Sequence, residues 1–132
     1  MSAERDLDKM LADLEPSLLP GEFVFCSMPG ASYGDFAGLT PLASMQEVEG
    51  LSLVLPRAAA DSEGVGYSSV YRCISLGVHS SLEAVGLTAA IASRLAELGI
   101  SANVIAGCIH DHVLVPAGRA DEVLVALAPV DA

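Results

Sequence analysis

Residues 70–116 restrict the fold that this chain can adopt more than any other segment does. It begins with an apolar run, VYRCISLGV, that is typical of a buried strand, and a helical pattern follows. The apolar stripe of that helix comprises Leu87, Ile91, Leu95 and Leu98. SANVIAG and HVLVPA are then predicted as two strands around a turn, CIHD, before a last helix over about 119–128. An apolar helix face must be buried against another layer, so the segment predicts an α+β unit.

The first half of the chain repeats this plan in a degenerate form. GEFVFCSM is predicted as a strand, and LASMQEV and LSLVLP as a hairpin that turns at Glu49–Gly50. PGASYGDFAGLTPLA is predicted as a loop with one helical turn near 35–39, and RAAADSEG as a short helix that Gly64 ends. The full order is a helix followed by two βαββα segments, which predicts two small α+β units that share one sheet or have two sheets side by side.

The predicted domain organisation has three segments. Residues 1–20 form an N-terminal helix and lead-in, residues 21–66 the first, degenerate unit, and residues 67–132 the second unit. The second unit lacks a last strand of its own. A strand from the first unit or from another subunit must therefore cover that sheet edge, or the edge stays exposed.

The N-terminal helix is predicted over residues 3–14, with Ser2 as its cap. Pro16 and Pro20 would end it. Its apolar face comprises Leu7, Met10, Leu11 and Leu14.

Composition excludes several classes of function. The net charge is −11 with only six Lys or Arg, so neither nucleic acid nor an anionic membrane is expected as a partner. No stretch approaches the length of a membrane span, and the charged start, MSAERDLDKM, does not predict a signal peptide. Cys26, Cys73 and Cys108 are far apart, which argues against a zinc or disulfide framework and favours the cytoplasm. No phosphate-binding glycine motif is present, and no cofactor is expected.

The start of the central helix contains a recognisable motif. Ser80 to Glu83 fits S-x-x-E, the capping box, and Gly99 is placed to stop the helix. A helix that begins directly after a strand also directs free backbone N–H groups and partial positive charge into a crevice. The sequence therefore predicts a site for a carboxylate at this corner.

The same residues resemble a known family. SLGVHSSLEAVGLTAAIASRLAELGISANVIAG, followed by HDHVLVPAGRADEVLVAL, resembles ACT domains, the βαββαβ ligand-binding modules of amino-acid metabolism. Over residues 18–128 the chain is similar to small bacterial proteins made of two ACT-like units, and through them to the ACT pairs of the cytosolic arginine sensors of animals. The positions that carry the resemblance are Gly86, Leu95, Gly99, Ile100 and Asn103.

The resemblance implies two ferredoxin-like βαββαβ units with antiparallel sheets and helices on one face. It also implies a regulator or sensor, not an enzyme, that binds an amino acid at an interface between ACT units. The long apolar helices and the uncovered strand edge favour a homodimer, and an unidentified effector protein would receive the signal. Carried over by position, the ligand-binding residues are His79, Ser80, Ser81, Leu82, Glu83, Ala84, Val85, Gly86, Asn103, Ile105 and Asp111. The family is expected to have aromatic residues between Gly107 and His110, whereas this chain has Cys108 and Ile109.

Elementary chemistry assigns roles to these positions. Backbone N–H groups around Ser81–Ala84 would hold an α-carboxylate, and Asp111 would hold an ammonium or a basic side chain. An apolar wall would comprise Val85, Ile105 and Ile109.

Three other hypotheses remain open at this stage. The first is a ligand-free homodimeric interaction module that uses an exposed sheet edge. The second is a metal site, because His110 and His112 could lie on one side of a strand beside a carboxylate. The third is a thiolate pair of Cys108 and His110; no G-x-S-x-G elbow is present, and catalysis is not expected.

Overall fold

The computed structural model describes residues 6–128. The chain forms two compact units. The first unit comprises Pro20–Tyr71, and the second comprises residues 6–19 together with residues 72–128. The N-terminal segment thus contributes to the second unit.

The first unit contains a three-stranded antiparallel sheet with a short fourth member. Its elements are β2 (Phe23–Pro29), a 3-10 turn (Ala37–Leu39), β3 (Ala43–Glu47), β4 (Gly50–Pro56), α2 (Arg57–Glu63) and the first two residues of β5 (Val70–Leu76). The strands follow the order β3-β4-β2, and Tyr71 and Val70 of β5 pair with Phe23 and Val24 of β2. Its core comprises Val24, Cys26, Leu51, Leu53, Leu55 and Ala60.

Most sequence predictions for this unit are confirmed. The 3-10 turn lies inside the predicted 35–39, and α2 ends at Gly64, which adopts φ 68° as a left-handed cap. The hairpin is also present, but Glu47 pairs with Gly50, so its turn consists of Val48 and Glu49 and lies one residue earlier than predicted.

The second unit packs its helices on one face of a second set of strands. Its elements are α1 (Leu7–Ala12), β1 (Pro16–Leu18), the rest of β5, α3 (Leu87–Glu97), β6 (Asn103–Ala106), β7 (Asp111–Pro116), a 3-10 turn (Ala117–Arg119) and α4 (Ala120–Leu127). The strand order is β1-β5-β7-β6. Alternate strand residues point to one face, where they meet the helices. The largest fully buried members of this core are Met10, Leu14, Ile74, Leu76, Ile91, Leu95, Val113 and Leu127.

The uncovered edge of the second unit is closed by β1, a strand that the sequence patterns did not predict. Pro16 pairs with Leu76 and Leu18 with Ile74, both in β5. Pro16 is predicted above to end a helix, but proline is also tolerated as the first residue of an edge strand, because its missing N–H is not needed there.

The first helix is shorter than predicted. It begins at Leu7, because Asp6 caps it by accepting a hydrogen bond from the N–H of Lys9 at 3.2 Å. Ser2, the predicted cap, lies outside the described residues. The predicted apolar face is confirmed, since Met10 and Leu14 are fully buried.

The end of α3 is fixed by backbone hydrogen bonds. Gly99 has φ 71°, and its N–H donates to the carbonyl of Ala96 while the N–H of Ile100 donates to that of Leu95. This is the Schellman arrangement. The guanidinium of Arg119 also donates to the carbonyl of Leu98 at 3.0 Å. The predicted stop at Gly99 is confirmed.

None of the helices within residues 6–128 is long and apolar enough to cross a membrane, and the longest, α3, has 11 residues.

The left-handed cap predicts a specific stability loss. A Cβ at Gly99 would meet no atom within 4 Å, so Gly99→Ala should cost only the backbone strain of a positive φ, about 1 kcal/mol. Gly118 is the matched control, because it also faces open space but does not have a positive φ. Urea unfolding should show a lower midpoint at constant m for Gly99→Ala alone. Equal midpoints for the two variants would contradict this assignment.

The burial of two cysteines predicts a pattern of thiol reactivity. Burial raises the pKa of the Cys26 thiol and raises that of Cys73 to about 11, so both stay protonated near neutral pH. The thiolate is the nucleophile, and Cys108 is exposed. Native protein should therefore take up one alkylating group quickly, at Cys108, and three after unfolding. Peptide mass spectrometry identifies the sites, and Cys108→Ser should take up none in the native state.

Candidate functional site

A small pocket of about 180 Å³ lies in the second unit, where three segments meet. These segments are the loop after β5, the first turn of α3 and the β6–β7 hairpin. The lining residues are Ser80, Ser81, Leu82, Ala84, Gly86, Leu87, Thr88, Ala89, Ala106 and Asp111.

The loop that leads into this pocket corrects the prediction of a capping box. Helix α3 begins at Leu87, not near Ser80, and its N-cap is Gly86 with φ 100°. The hydroxyl of Ser81 accepts from the N–H of Glu83 at 3.1 Å, which forms a local turn. Such serine-to-backbone bonds compete with helix formation, which explains why S-x-x-E did not start a helix here.

Gly86 has a structural reason to be glycine. Its φ of 100° is strained for other residues, and a Cβ there would lie 3.2 Å from the side chain of Leu7 in α1. A neighbouring helix, α1, therefore approaches the backbone closely at Gly86. This glycine allows α1 to pack beside the start of α3.

The start of α3 is left without a compensating side chain. Gly86 provides no side-chain cap, and no acidic residue lies in the first turn. The first intrahelical bond runs from the N–H of Ala90 to the carbonyl of Gly86, so the N–H groups of Leu87, Thr88 and Ala89 have no helical acceptor. These residues line the pocket, and the positive end of the helix dipole therefore lies at its wall.

Asp111 is the one buried charged or polar residue within residues 6–128, with 8% of its surface exposed. It is the first residue of β7 and pairs across the hairpin with Ala106. Its Oδ2 accepts a hydrogen bond from the hydroxyl of Ser80 at 3.1 Å. No Lys, Arg or His of the described part of the chain forms a salt bridge with it. A buried carboxylate without a cation is costly, which makes the pocket suited to a positively charged group.

The structure brings together part of the predicted site. Six of the predicted ligand-binding residues line the pocket: Ser80, Ser81, Leu82, Ala84, Gly86 and Asp111. The other five do not line it: His79, Glu83, Val85, Asn103 and Ile105. Sequence analysis missed Leu87, Thr88, Ala89 and Ala106. A helix start placed at Leu87, which Gly86 could have indicated, would have identified the first three.

The apolar lining also differs from the predicted wall. Val85 and Ile109 are exposed by 84% and 54% and do not face the pocket. Ile105 pairs with His112, and alternation along β6 places it on the sheet face opposite to Ala106. The apolar lining instead comprises Leu82, Ala84, Leu87, Ala89 and Ala106.

The histidine cluster beside the hairpin does not form the sites considered above. The turn spans Gly107–His110, and the N–H of Gly107 donates to the carbonyl of His110 at 2.9 Å. No group of three potential metal ligands is found within residues 6–128. The Nδ1 atom of His110 is buried without a hydrogen-bond partner in the same part of the chain, and no hydrogen bond joins it to Cys108.

The equivalent corner of the first unit has no buried acid. Both hairpins end in a proline directly before a helical turn, Pro56 and Pro116, and this alignment places Leu51 where the second unit has Asp111. Gln46 pairs with Leu51, as Ala106 pairs with Asp111.

The amide group of Gln46 is hydrogen-bonded to the neighbouring loop at this corner. Its Oε1 accepts from the N–H of Tyr33 at 2.8 Å, and its Nε2 donates to the carbonyl of Ala31 at 3.1 Å. The corner has no buried acid, and the groove of about 500 Å³ that Leu51 and Tyr33 line there has no charged lining residue.

A larger groove of about 800 Å³ lies elsewhere in the first unit. Its charged lining residues, Asp35 and Glu63, are both exposed. Its larger volume does not make this groove the better candidate for a ligand site, because an ion pair with a solvent-exposed carboxylate contributes little binding free energy.

Comparison with known proteins identifies the family. Models of the ACT domain match residues 2–72 and 68–129, and they overlap where β5 begins. A solved structure of a protein of unknown function from Vibrio cholerae, described as a possible transport protein, is 47% identical, with a TM-score of 0.86 over 96% of this chain and 95% of that one. No curated protein matches the sequence significantly.

More distant structures share the fold alone. A protein from Agrobacterium tumefaciens is 18% identical, with a TM-score of 0.63 over 86% of this chain and 85% of that one. The regulatory subunit of aspartate kinase from Thermus thermophilus, in its ligand-free form, is 13% identical, with a TM-score of 0.62 over 88% and 95%. With family matches over both halves, the chain belongs to the ACT domain family and carries two ACT domains in tandem.

Proposed function

We propose that this protein is a non-catalytic regulator that binds an amino acid in the pocket between Asp111 and the start of α3. The observation that carries the proposal is the buried Asp111 carboxylate, which has no cationic partner within residues 6–128 and lies in one pocket with an uncapped helix N-terminus. A zwitterionic amino acid has a negative charge for the helix N-terminus and a positive charge for Asp111.

The negative end of the zwitterion fits the helix. An α-carboxylate at the first turn of α3 would accept hydrogen bonds from the N–H groups of Leu87, Thr88 and Ala89. Charge and hydrogen bonding would act together there, and no arginine is needed to hold the anion. This replaces the position near Ser81–Ala84 that the sequence suggested.

The positive end fits Asp111. An α-ammonium has three donors, and the carboxylate of Asp111 retains acceptor capacity beyond its bond from Ser80. A charge-assisted bond of this kind contributes about 1.5–3 kcal/mol. It would also compensate the cost of burying the carboxylate.

The regulatory part of the proposal rests on the family. The similar structure from Thermus thermophilus is a regulatory subunit of aspartate kinase. By this analogy the bound amino acid would act as a signal, and an unidentified effector protein would receive it. All lining residues of the proposed pocket belong to the second unit, so the pocket does not depend on the interface between ACT units that the sequence resemblance implies.

A second candidate function is a ligand-free homodimeric interaction module. It is favoured by β6, which pairs with β7 and lies at the end of the strand order in the described part of the chain. An unpaired strand edge can accept a strand from a second copy. Sedimentation of the ligand-free protein tests it, because this function requires a dimer and no amino-acid response.

Substitution of Asp111 tests the amino-acid site. A thermal-shift screen with the twenty amino acids identifies the ligand, since binding to the folded state raises the melting temperature. Asp111→Asn keeps the shape of the side chain but removes its charge, and should raise Kd about ten- to hundredfold. Calorimetry measures Kd, and exposed Asp121 is the matched control, whose change to Asn should leave Kd unchanged. Unaltered binding by Asp111→Asn would refute this site.

The missing acid of the first unit predicts the stoichiometry. Because Leu51 takes the place of the acid there, calorimetric titration should give about one ligand per chain. Gln46→Ala should lower the free energy of unfolding by about 1 kcal/mol through its lost hydrogen bonds and leave the stoichiometry unchanged. A value of two ligands per chain would contradict the comparison of the two corners.

A further inference from the structure

We propose that the ligand is a small neutral amino acid of the size class of glycine, alanine, serine and threonine. The inference rests on the proposed function and adds the class of side chain that the pocket accepts. It follows from the charges, the volume and one strand residue of the pocket.

The charges of the lining exclude a charged ligand side chain. Asp111 is the one charged residue that lines the pocket, and no Lys or Arg lines it. An acidic side chain would have no cation to pair with. A basic side chain would add a second positive charge where one carboxylate already holds the α-ammonium, and an unpaired charge in a partly desolvated site is costly.

The volume of the pocket, about 180 Å³, favours a small ligand. Pockets for drug-sized ligands begin near 300 Å³. The apolar lining consists largely of small side chains, so it forms a narrow space and not a deep apolar cavity.

Ala106 limits the space beside the ligand's α-carbon. It pairs directly with Asp111 across the β6–β7 hairpin, and opposite residues of such a pair have Cβ atoms about 5 Å apart. An ammonium held by Asp111 therefore brings the α-carbon and its side chain close to the Ala106 methyl group. A larger residue at this position would occupy the same space.

Leu82 lines the pocket from the loop after β5. Its side chain is 67% exposed although it lines the pocket, so it covers the ligand without being part of the core. Its removal should enlarge the accepted side chain at little cost to the fold.

Calorimetry on the full chain tests the class. Glycine, alanine, serine and threonine are titrated beside glutamate, lysine, arginine and phenylalanine, and the tightest small neutral ligand should bind at least about tenfold more tightly than any of the other four. Ala106→Val should weaken serine and threonine at least about tenfold. Asn103→Val is the matched control, because Asn103 is also exposed on β6 but does not line the pocket, and it should change Kd less than about twofold.

A second pair of variants keeps the test decisive if Ala106→Val unfolds. Leu82→Ala should bring the Kd of valine or leucine severalfold closer to that of the best small ligand. Val85→Ala, in the same loop but outside the pocket, should not.

Two failures have different meanings. Tightest binding of arginine, lysine, glutamate or phenylalanine, still dependent on Asp111, would overturn the ligand class and leave amino-acid binding intact. No binding of any amino acid at millimolar concentration would overturn the proposed function together with this inference.

Discussion

The packing of α3 against the strands of the second unit determines where everything else in the candidate site lies. Leu87, Ile91 and Leu95 recur on one face of the helix and are buried in the core of that unit. A helix held along its whole length by apolar contacts cannot rotate or slide without exposing them. Its first turn is therefore fixed beside the β6–β7 hairpin, and so are the N–H groups that it leaves unpaired.

The pocket arises from a local departure from regular capping. Gly86 starts the helix with a left-handed backbone and no side-chain acceptor, while Ser80 is directed to Asp111 instead of to the helix. A conventional cap would satisfy the N–H groups and add stability of about 1 kcal/mol. Helix α3 lacks such a cap, and a carboxylate is buried nearby. The two features together indicate a binding site more strongly than either feature does alone.

The two ACT domains have hairpins with the same pairing but different residues at the positions of Asp111 and Ala106. Leu51 and Gln46 hold the same hairpin positions in the first domain as Asp111 and Ala106 in the second. Leu51 is buried in the core of its unit, and the side chain of Gln46 is bonded to the neighbouring loop. The amide group of Gln46 therefore makes its hydrogen bonds within the protein and not to a ligand. The fold tolerates both solutions because the strand pairing is the same.

The sequence alone determined the elements with strong periodicity or explicit turn chemistry. Local sequence patterns predict the alternating strands, the apolar stripe of α3, and the helix ends at Gly64 and Gly99. The family resemblance points to Asp111 as a site residue. The tertiary structure decided the rest. β1 forms because β5 offers it an edge, and α3 begins at Leu87 because the Ser81 turn and the contact between Gly86 and Leu7 outweigh the S-x-x-E pattern. Ala106 belongs to the pocket only through its strand register with Asp111, which no local pattern encodes.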